Sequence, residues 1–150
     1  MAEQLERHFN PETTAANLAG MGRFVSWKNT MMPSAERIAG FVSMLAPDAV
    51  QTSWEPEGII LLPDPKTISA KFQEGLLKVI PDFWETVRRQ VIIGNMLVLM
   101  QVPSGNLVPP DDKTKYCAWY NCDVFFFDND RIKYILFQRD VMYDQSQTAI

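Results

Sequence analysis

At 150 residues and 47% hydrophobic content the chain suits one domain with a sizeable core. Its 14 basic and 18 acidic residues leave a formal charge of -4, and no basic run exceeds Arg88-Arg89, so no nucleic-acid partner is expected. One histidine and two cysteines offer no metal-ligand spacing, and no glycine-rich phosphate loop is present, so neither a metal nor another cofactor is expected.

The longest purely apolar run, Met96 to Met100, is far short of the roughly 20 residues a membrane helix needs. The start, Met-Ala-Glu-Gln-Leu-Glu-Arg, has neither the basic region nor the apolar region of a secretory signal. A cytoplasmic protein without membrane contact is expected. Cys117 and Cys122 fall on one predicted strand with an odd separation, which sends them to opposite faces as free buried thiols.

Residues 1–12 are polar and contain Pro11, and read as a flexible arm before a single domain over 13–150. Thr13 or Thr14 can cap a first helix whose apolar stripe is Leu18, Met21, Phe24, Val25 and Trp27. Gly20 and Gly22 weaken that helix unless their smallness serves close packing. Ser34 opens a second helix with Ile38, Phe41, Val42 and Leu45 at i, i+3, i+4 and i+7, which Pro47 stops. Arg37 lies beside this stripe, from where it can reach round the edge of a core or stay in solvent. Asp48 to Leu62 reads as one or two short strands broken at Pro56 and Gly58. Asp64, Pro65 and Thr67 then open a third helix, with Ile68, Phe72, Leu76 and Val79 on one face and Pro81 at its end.

From Trp84 the period changes from 3.6 to about 2. Val87, Arg89, Val91 and Ile93 share a face, which sets Arg89 among apolar neighbours. Gly94-Asn95 turns the chain into Met96 to Val102, and a proline-rich loop precedes Tyr116. Tyr116 to Val141 reads as two strands joined by Asp128-Asn129-Asp130, with Phe125, Phe126 and Phe127 entering the turn and Ile132 to Phe137 leaving it. Tyr116 and Tyr120, at i and i+4, share one face of the first of these strands, whereas Trp119, Asp123 and Phe125 share the other. A bulge would reconcile the two sets. Helices first and long strands later make this an α+β domain, a curved antiparallel sheet closed by helices.

Met44-Leu45-Ala46-Pro47-Asp48-Ala49-Val50, then Ile80-Pro81-Asp82-Phe83, then Asp123 to Ile132, then Asp140 give the chain its resemblance to the SnoaL-like family of the nuclear transport factor 2-like (NTF2-like) superfamily, over about residues 13 to 143. The resemblance implies a cone-shaped, cystatin-like sheet closed by three N-terminal helices. It also implies a homodimer through the outer sheet face and an open cone that takes a hydrophobic polycyclic small molecule. Many relatives use a pocket histidine, and no strand here carries one. The remaining inventory of carboxylate, phenol, guanidinium and amide suits a cofactor-independent isomerase or cyclase working by acid-base chemistry.

With that inventory the chain resembles the fungal SnoaL-like isomerases that steer alkaloid or meroterpenoid rearrangements such as semipinacol shifts. A dehydratase or epoxide hydrolase acting on a small hydrophobic substrate is the enzyme alternative, and a non-catalytic ligand-binding or dimerisation module is the other. The expected catalytic set is Tyr116, Tyr120 and Asp140 with Arg37. Arg89, Gln138, Trp119, Asp123 and Phe41 are expected to touch substrate, and either Arg37 or Arg89 is the pocket arginine.

Overall fold

Changes of sequence period set the element order in the computed structural model, which describes residues 2–55, 58–107 and 115–138. Helices α1 (Ala2–His8), α2 (Ala15–Lys28) and α3 (Ser34–Met44) lead into strands β1 (Leu45–Glu55) and β2 (Gly58–Leu62). Helix α4 (Pro65–Lys71) continues as a π-helical stretch over Phe72–Leu77, and β3 (Trp84–Ile93), β4 (Met96–Leu107), β5 (Lys115–Ala118), β6 (Asn121–Asp128) and β7 (Arg131–Gln138) follow. Among the described residues no helix is long and apolar enough to cross a membrane.

Caps begin the helices where short polar side chains can serve the first free N–H groups. The Thr14 hydroxyl accepts from the Asn17 N–H at 3.1 Å, and the Asp64 carboxylate accepts from the Thr67 N–H at 2.9 Å with Pro65 in the first turn. Helix α3 ends at Met44, not at Pro47. Leu45, expected on the helix stripe, is the buried first residue of β1, and an irregular register between Leu45 and Val50 accommodates the proline. Downstream, the wider turns of the π-helical stretch slip the helical phase, so Leu77 and Ile80 are buried while Val79, expected inside, is exposed.

The sheet order is β2-β1-β7-β6-β4-β3, with β5 paired to the far end of β4. All pairs are antiparallel, as expected, except β1 with β7, which are parallel. These two strands are distant in sequence, so no tight hairpin dictates their relative direction. Two-residue turns close the hairpins β3-β4 and β6-β7. Gly94 has φ 59°, and Asn129 and Asp130 have φ 46° and 71°, a left-handed pair that Asx residues tolerate.

Alternation then decides which side chains meet the helices. On β4, Leu97, Leu99 and Gln101 are buried while Met100 is exposed, and on β6 Asn121, Asp123 and Phe125 are buried while Cys122 is exposed. Aromatic contacts run along the interior from Phe125 to Phe24 (ring centroids 4.5 Å apart), Trp27, Phe41, Phe72, Phe83 and Trp119. Helix α2 reaches the β6-β7 turn closely because a Cβ at Gly20 would overlap the Asp130 carbonyl. Arg23 seals that contact with a 2.7 Å ion pair to the Asp130 carboxylate.

The break between β5 and β6 overturns the continuous strand expected over Tyr116 to Phe127, since residues 119–120 belong to neither strand. Cys122, opposite Met100 on the outer face of β6, is exposed rather than a buried thiol, and the Cys117 side chain lies outside the described residues.

Asn95 in the β3-β4 turn bonds to His8 and Asn10, within the segment over residues 1–12 expected as a flexible arm. Its backbone N–H donates to the Asn10 carbonyl at 2.9 Å, and its Oδ1 accepts from the Asn10 N–H at 2.7 Å. The Nδ2 group donates to the carbonyls of His8 (2.8 Å) and Phe127 (3.0 Å), while the Asn95 carbonyl accepts from the Phe127 N–H at 2.9 Å. Stacking of His8 on Tyr134, with centroids 4.5 Å apart and planes 6° apart, lays α1 against the outer sheet face. Asn95→Ala leaves buried carbonyl and N–H groups without partners, so we expect a loss of about 1–3 kcal/mol. Thermal unfolding should register it as a fall of several degrees, and an unchanged midpoint would mean that Asn95 is not the anchor.

Candidate active site

On the inner sheet face, the half of the cone that holds Gln101 is polar. Strand β3 contributes Glu85 and Val87, β4 contributes Gln101, and β6 contributes Asn121 and Asp123, with Val87 opposite Gln101 and Gln101 opposite Asn121. Cross-strand partners share a face, so these side chains form one patch. Asp123 is 1% exposed and its carboxylate accepts a hydrogen bond from the Gln101 amide. Trp119 leads into β6, tied by its N–H to the Pro103 carbonyl at 3.1 Å, and its indole is buried beside Phe83.

The helices close this patch with two cations. Lys28, the last residue of α2, pairs with Glu85 at 2.7 Å, and both side chains are 6% exposed. Its ammonium also lies 5.1 Å from the Phe24 ring centre and 5.6 Å from those of Trp27 and Phe125. Arg37, 1% exposed, sets its guanidinium 4.9 Å from the Trp27 ring and 5.7 Å from that of Phe83. It donates to the carbonyls of Thr30 (3.2 Å) and Lys28 (3.5 Å), and its own carbonyl accepts from the Trp27 indole at 3.1 Å. Burial pushes the Arg37 guanidinium below its ordinary value, and the nearby Glu85 charge opposes that shift.

Four buried polar atoms of this region have no protein partner: Arg37 Nε and Trp119 Nε1, which donate, and Gln101 Oε1 and Asn121 Oδ1, which accept. Natural interiors satisfy nearly all such groups, so two unpaired donors and two unpaired acceptors set this region apart from ordinary core. No group of three or more His, Cys, Asp or Glu arranged around a metal position occurs among the described residues.

Of the expected site residues, the structure brings Arg37, Trp119, Asp123 and Phe41 into the interior. Two are placed elsewhere. Arg89 is exposed and opposes Met100, because a bulge between Val87 and Arg89 reverses the alternation that had put both on one face. Tyr120 is 64% exposed, since the break after Ala118 ends the strand that would have kept it level with Tyr116. The Tyr116 backbone pairs with Asn106, whereas the side chains of Tyr116 and Gln138 and the whole of Asp140 lie outside the described residues. Gln101 was legible, having the parity of Leu97 and Leu99, and so was Glu85, having the parity of Val87. Lys28 carried no signal beyond its place next to Trp27.

The sequence matches no family model, and no curated protein matches it. Solved structures do match along most of the chain. A phenazine biosynthesis-related protein from Pseudomonas aeruginosa is 16% identical with a TM-score of 0.72, covering 90% of this chain and 88% of its own. A protein assigned as a SnoaL-like polyketide cyclase from Jannaschia sp. CCS1 is 10% identical with a TM-score of 0.72, covering 92% and 96%. An LEH-like epoxide hydrolase from M. tuberculosis is 14% identical with a TM-score of 0.64, covering 91% and 92%. The chain has the NTF2-like fold.

In this NTF2-like cone the Lys28–Glu85 pair is buried on both sides. Lys28→Met or Glu85→Leu alone strands a buried charge and is expected to lower stability by about 3–5 kcal/mol, whereas the double variant should recover most of it. Denaturant titration of the three variants checks this, and additive losses would show that the two charges do not depend on one another.

Proposed function

We propose that this protein is a cofactor-independent isomerase or cyclase of hydrophobic polycyclic molecules, with Asp123 as the group that moves the proton. The observation that carries the reading is a carboxylate held out of water on the inner sheet face by the Gln101 amide. Unpartnered donors on Trp119 and Arg37 can hydrogen-bond an oxygen on which charge develops. The aromatic walls, Trp27, Phe41 and Phe83 among them, suit a flat fused-ring substrate. Tyr116 and Asp140 stay in the proposed set, Tyr116 because β5 pairs with the far end of β4, and Asp140 on the family resemblance alone.

The finer reading is a semipinacol shift in a polycyclic alkaloid or meroterpenoid. A substrate hydroxyl gives its proton to Asp123, and the O–H electron pair becomes a carbonyl π bond. The neighbouring carbon migrates with its bonding pair to an adjacent epoxide carbon, whose C–O bond opens, and the freed oxygen takes a proton. The substrate is only rearranged, so neither a redox cofactor nor a co-substrate enters the balance.

A second reading rests on the two orphan acceptors, Gln101 Oε1 and Asn121 Oδ1. A water that donates to one of them and to Asp123 would be oriented for attack, the requirement of an epoxide hydrolase. The two readings differ in product: an isomerase leaves substrate mass unchanged, whereas a hydrolase adds one water whose oxygen carries the label of heavy-oxygen water. Fused-ring hydroxy epoxides followed by mass spectrometry separate them. Asp123→Asn should lower turnover roughly 10²-fold or more under either reading without changing the far-ultraviolet spectrum, and full turnover by a folded Asp123→Asn would overturn both.

The outer sheet face carries exposed Val91, Ile93 and Met100, and we propose that a second copy covers it. Light scattering at micromolar concentration should give a dimer and Met100→Glu a monomer. A monomeric parent protein would remove this part of the proposal.

A further inference from the structure

Gln101 stands between two other polar groups of the inner sheet face. Its Nε2 group donates to the Asp123 carboxylate, and on the β4-β6 ladder it is the direct cross-strand partner of Asn121. Directly opposed residues bring their Cβ atoms within about 5 Å, and the diagonal position two residues along, which Asp123 occupies, stays within reach of a long side chain. All three side chains are buried.

Two acceptors of this trio, Gln101 Oε1 and Asn121 Oδ1, have no partner. Both oxygens are shut off from solvent, so the shortest way to supply each with a donor is from inside the trio. A carboxylate has no proton to give, but a carboxyl group has one. With Asp123 protonated and the Gln101 amide turned over, the Asp123 O–H donates to Gln101 Oε1, and the Gln101 Nε2 group, now on the Asn121 side, donates to Oδ1. One proton and one rotation serve both orphan acceptors. The rotation is about the last side-chain torsion of glutamine, which is broad and roughly two-fold.

We propose that Gln101 is a positioning residue with two settings: a donor to Asp123 when the carboxylate is ionised, and an acceptor from it when the carboxyl group is protonated, with Asn121 taking up the amide N–H in the second setting. The proposal rests on Asp123 as the group that moves the proton. When Asp123 takes the substrate hydroxyl proton, its bond from the Gln101 N–H breaks, and the O–H to Oε1 and N–H to Asn121 Oδ1 bonds form. Return of the proton to the freed oxygen reverses the change. A buried proton carrier otherwise loses a hydrogen bond in one of its two states, and an amide avoids this because it carries a donor and an acceptor at the same end. Position 101 therefore holds an amide, although Leu97 and Leu99 on the same face of β4 are apolar.

The charged groups on this side of the sheet are Glu85 from β3, Lys28 from α2 and Arg37 from α3, and Cys122 adjoins Asp123 from the outer face. They set where Asp123 titrates. The amide arrangement adds a dependence of that midpoint on Asn121, which no direct charge interaction would give. A hydrogen bond made only to the neutral carboxyl group raises its pKa, so loss of the Asn121 acceptor must lower it.

Carbon-13 nuclear magnetic resonance of the full chain, labelled in its aspartate, asparagine and glutamine side chains, tests this, with Asp123→Asn assigning the Asp123 signal. The Asn121 side-chain carbonyl should shift with the same pH midpoint as the Asp123 carboxyl carbon. Asn121→Leu should lower that midpoint by about half a unit or more, a loss of roughly threefold in proton affinity. In a Gln101→Leu background the same change should leave the midpoint where it was, because the connection is already cut. An Asn121 carbonyl indifferent to Asp123, an Asn121→Leu effect that is absent with Gln101 in place or persists without it, or an Asp123 that does not titrate while the chain is folded, overturns the proposal. Should the leucine variants not fold, the Asn121 carbonyl of the parent chain still decides. None of these titrations needs turnover. Coupled titration alongside full turnover by Asp123→Asn would remove the proposed activity and leave the two settings of Gln101 standing, whereas uncoupled titration alongside an inactive Asp123→Asn would do the reverse.

Discussion

A guanidinium inside the core holds the helical layer over the sheet. Arg37 donates to the carbonyls of Lys28 and Thr30 at the end of α2, where the helix dipole is negative and unsatisfied acceptors collect. Its own carbonyl takes the Trp27 indole N–H, so α2 and α3 are bonded in both directions, and its planar group lies over Trp27 and Phe83. A lysine could not replace it, because stacking and two separately aimed hydrogen bonds need the rigid fork. Putting one such charge out of water makes a nearby counter-charge necessary, and Glu85, shared with Lys28, supplies it.

That set of charges explains why this half of the cone is not simply hydrocarbon. Buried ion pairs add little stability compared with well-packed apolar side chains of the same volume. The Arg37, Lys28, Glu85 and Asp123 groups are therefore hard to understand as stabilising devices, and the unpartnered atoms beside them make the interior less stable still. Both features are what the chemistry proposed at Asp123 needs, polar groups kept out of water beside the aromatic chain. The opposite half of the inner face, with Leu97, Phe127 and Ile132, carries the apolar packing that offsets this cost.

Helix α2 links the two ends. Its first turn, with Thr14 and Asn17, borders a cleft against α1, and its last residues, Trp27 and Lys28, wall the Asp123 patch. Close approach at Gly20 and the Arg23–Asp130 pair fix it on the β6-β7 turn midway. One rigid element thus sets the geometry of both places, and Asn95 does for the β3-β4 turn what Arg23 does for the next one.

What the chain determined locally was legible because the cause was local. Thr14 and Asp64 cap helices with their own side chains, Asn129 and Asp130 accept left-handed backbone, and the shared face of Asp123 and Phe125 follows from alternation within a few residues. Arg37 was visible as a residue at the edge of a stripe, yet its burial depended on α2 ending against it. The bulge that turned Arg89 outward, the break that exposed Tyr120, and the parallel pairing of β1 with β7 are set by what neighbouring strands demand of register. Asn95 looked like a turn residue and became an anchor because segments distant in sequence arrived beside it. Periodicity and capping act over a few residues and are written in the chain; register, burial of charge and the convergence of Glu85, Gln101 and Asp123 exist only once the strands have paired.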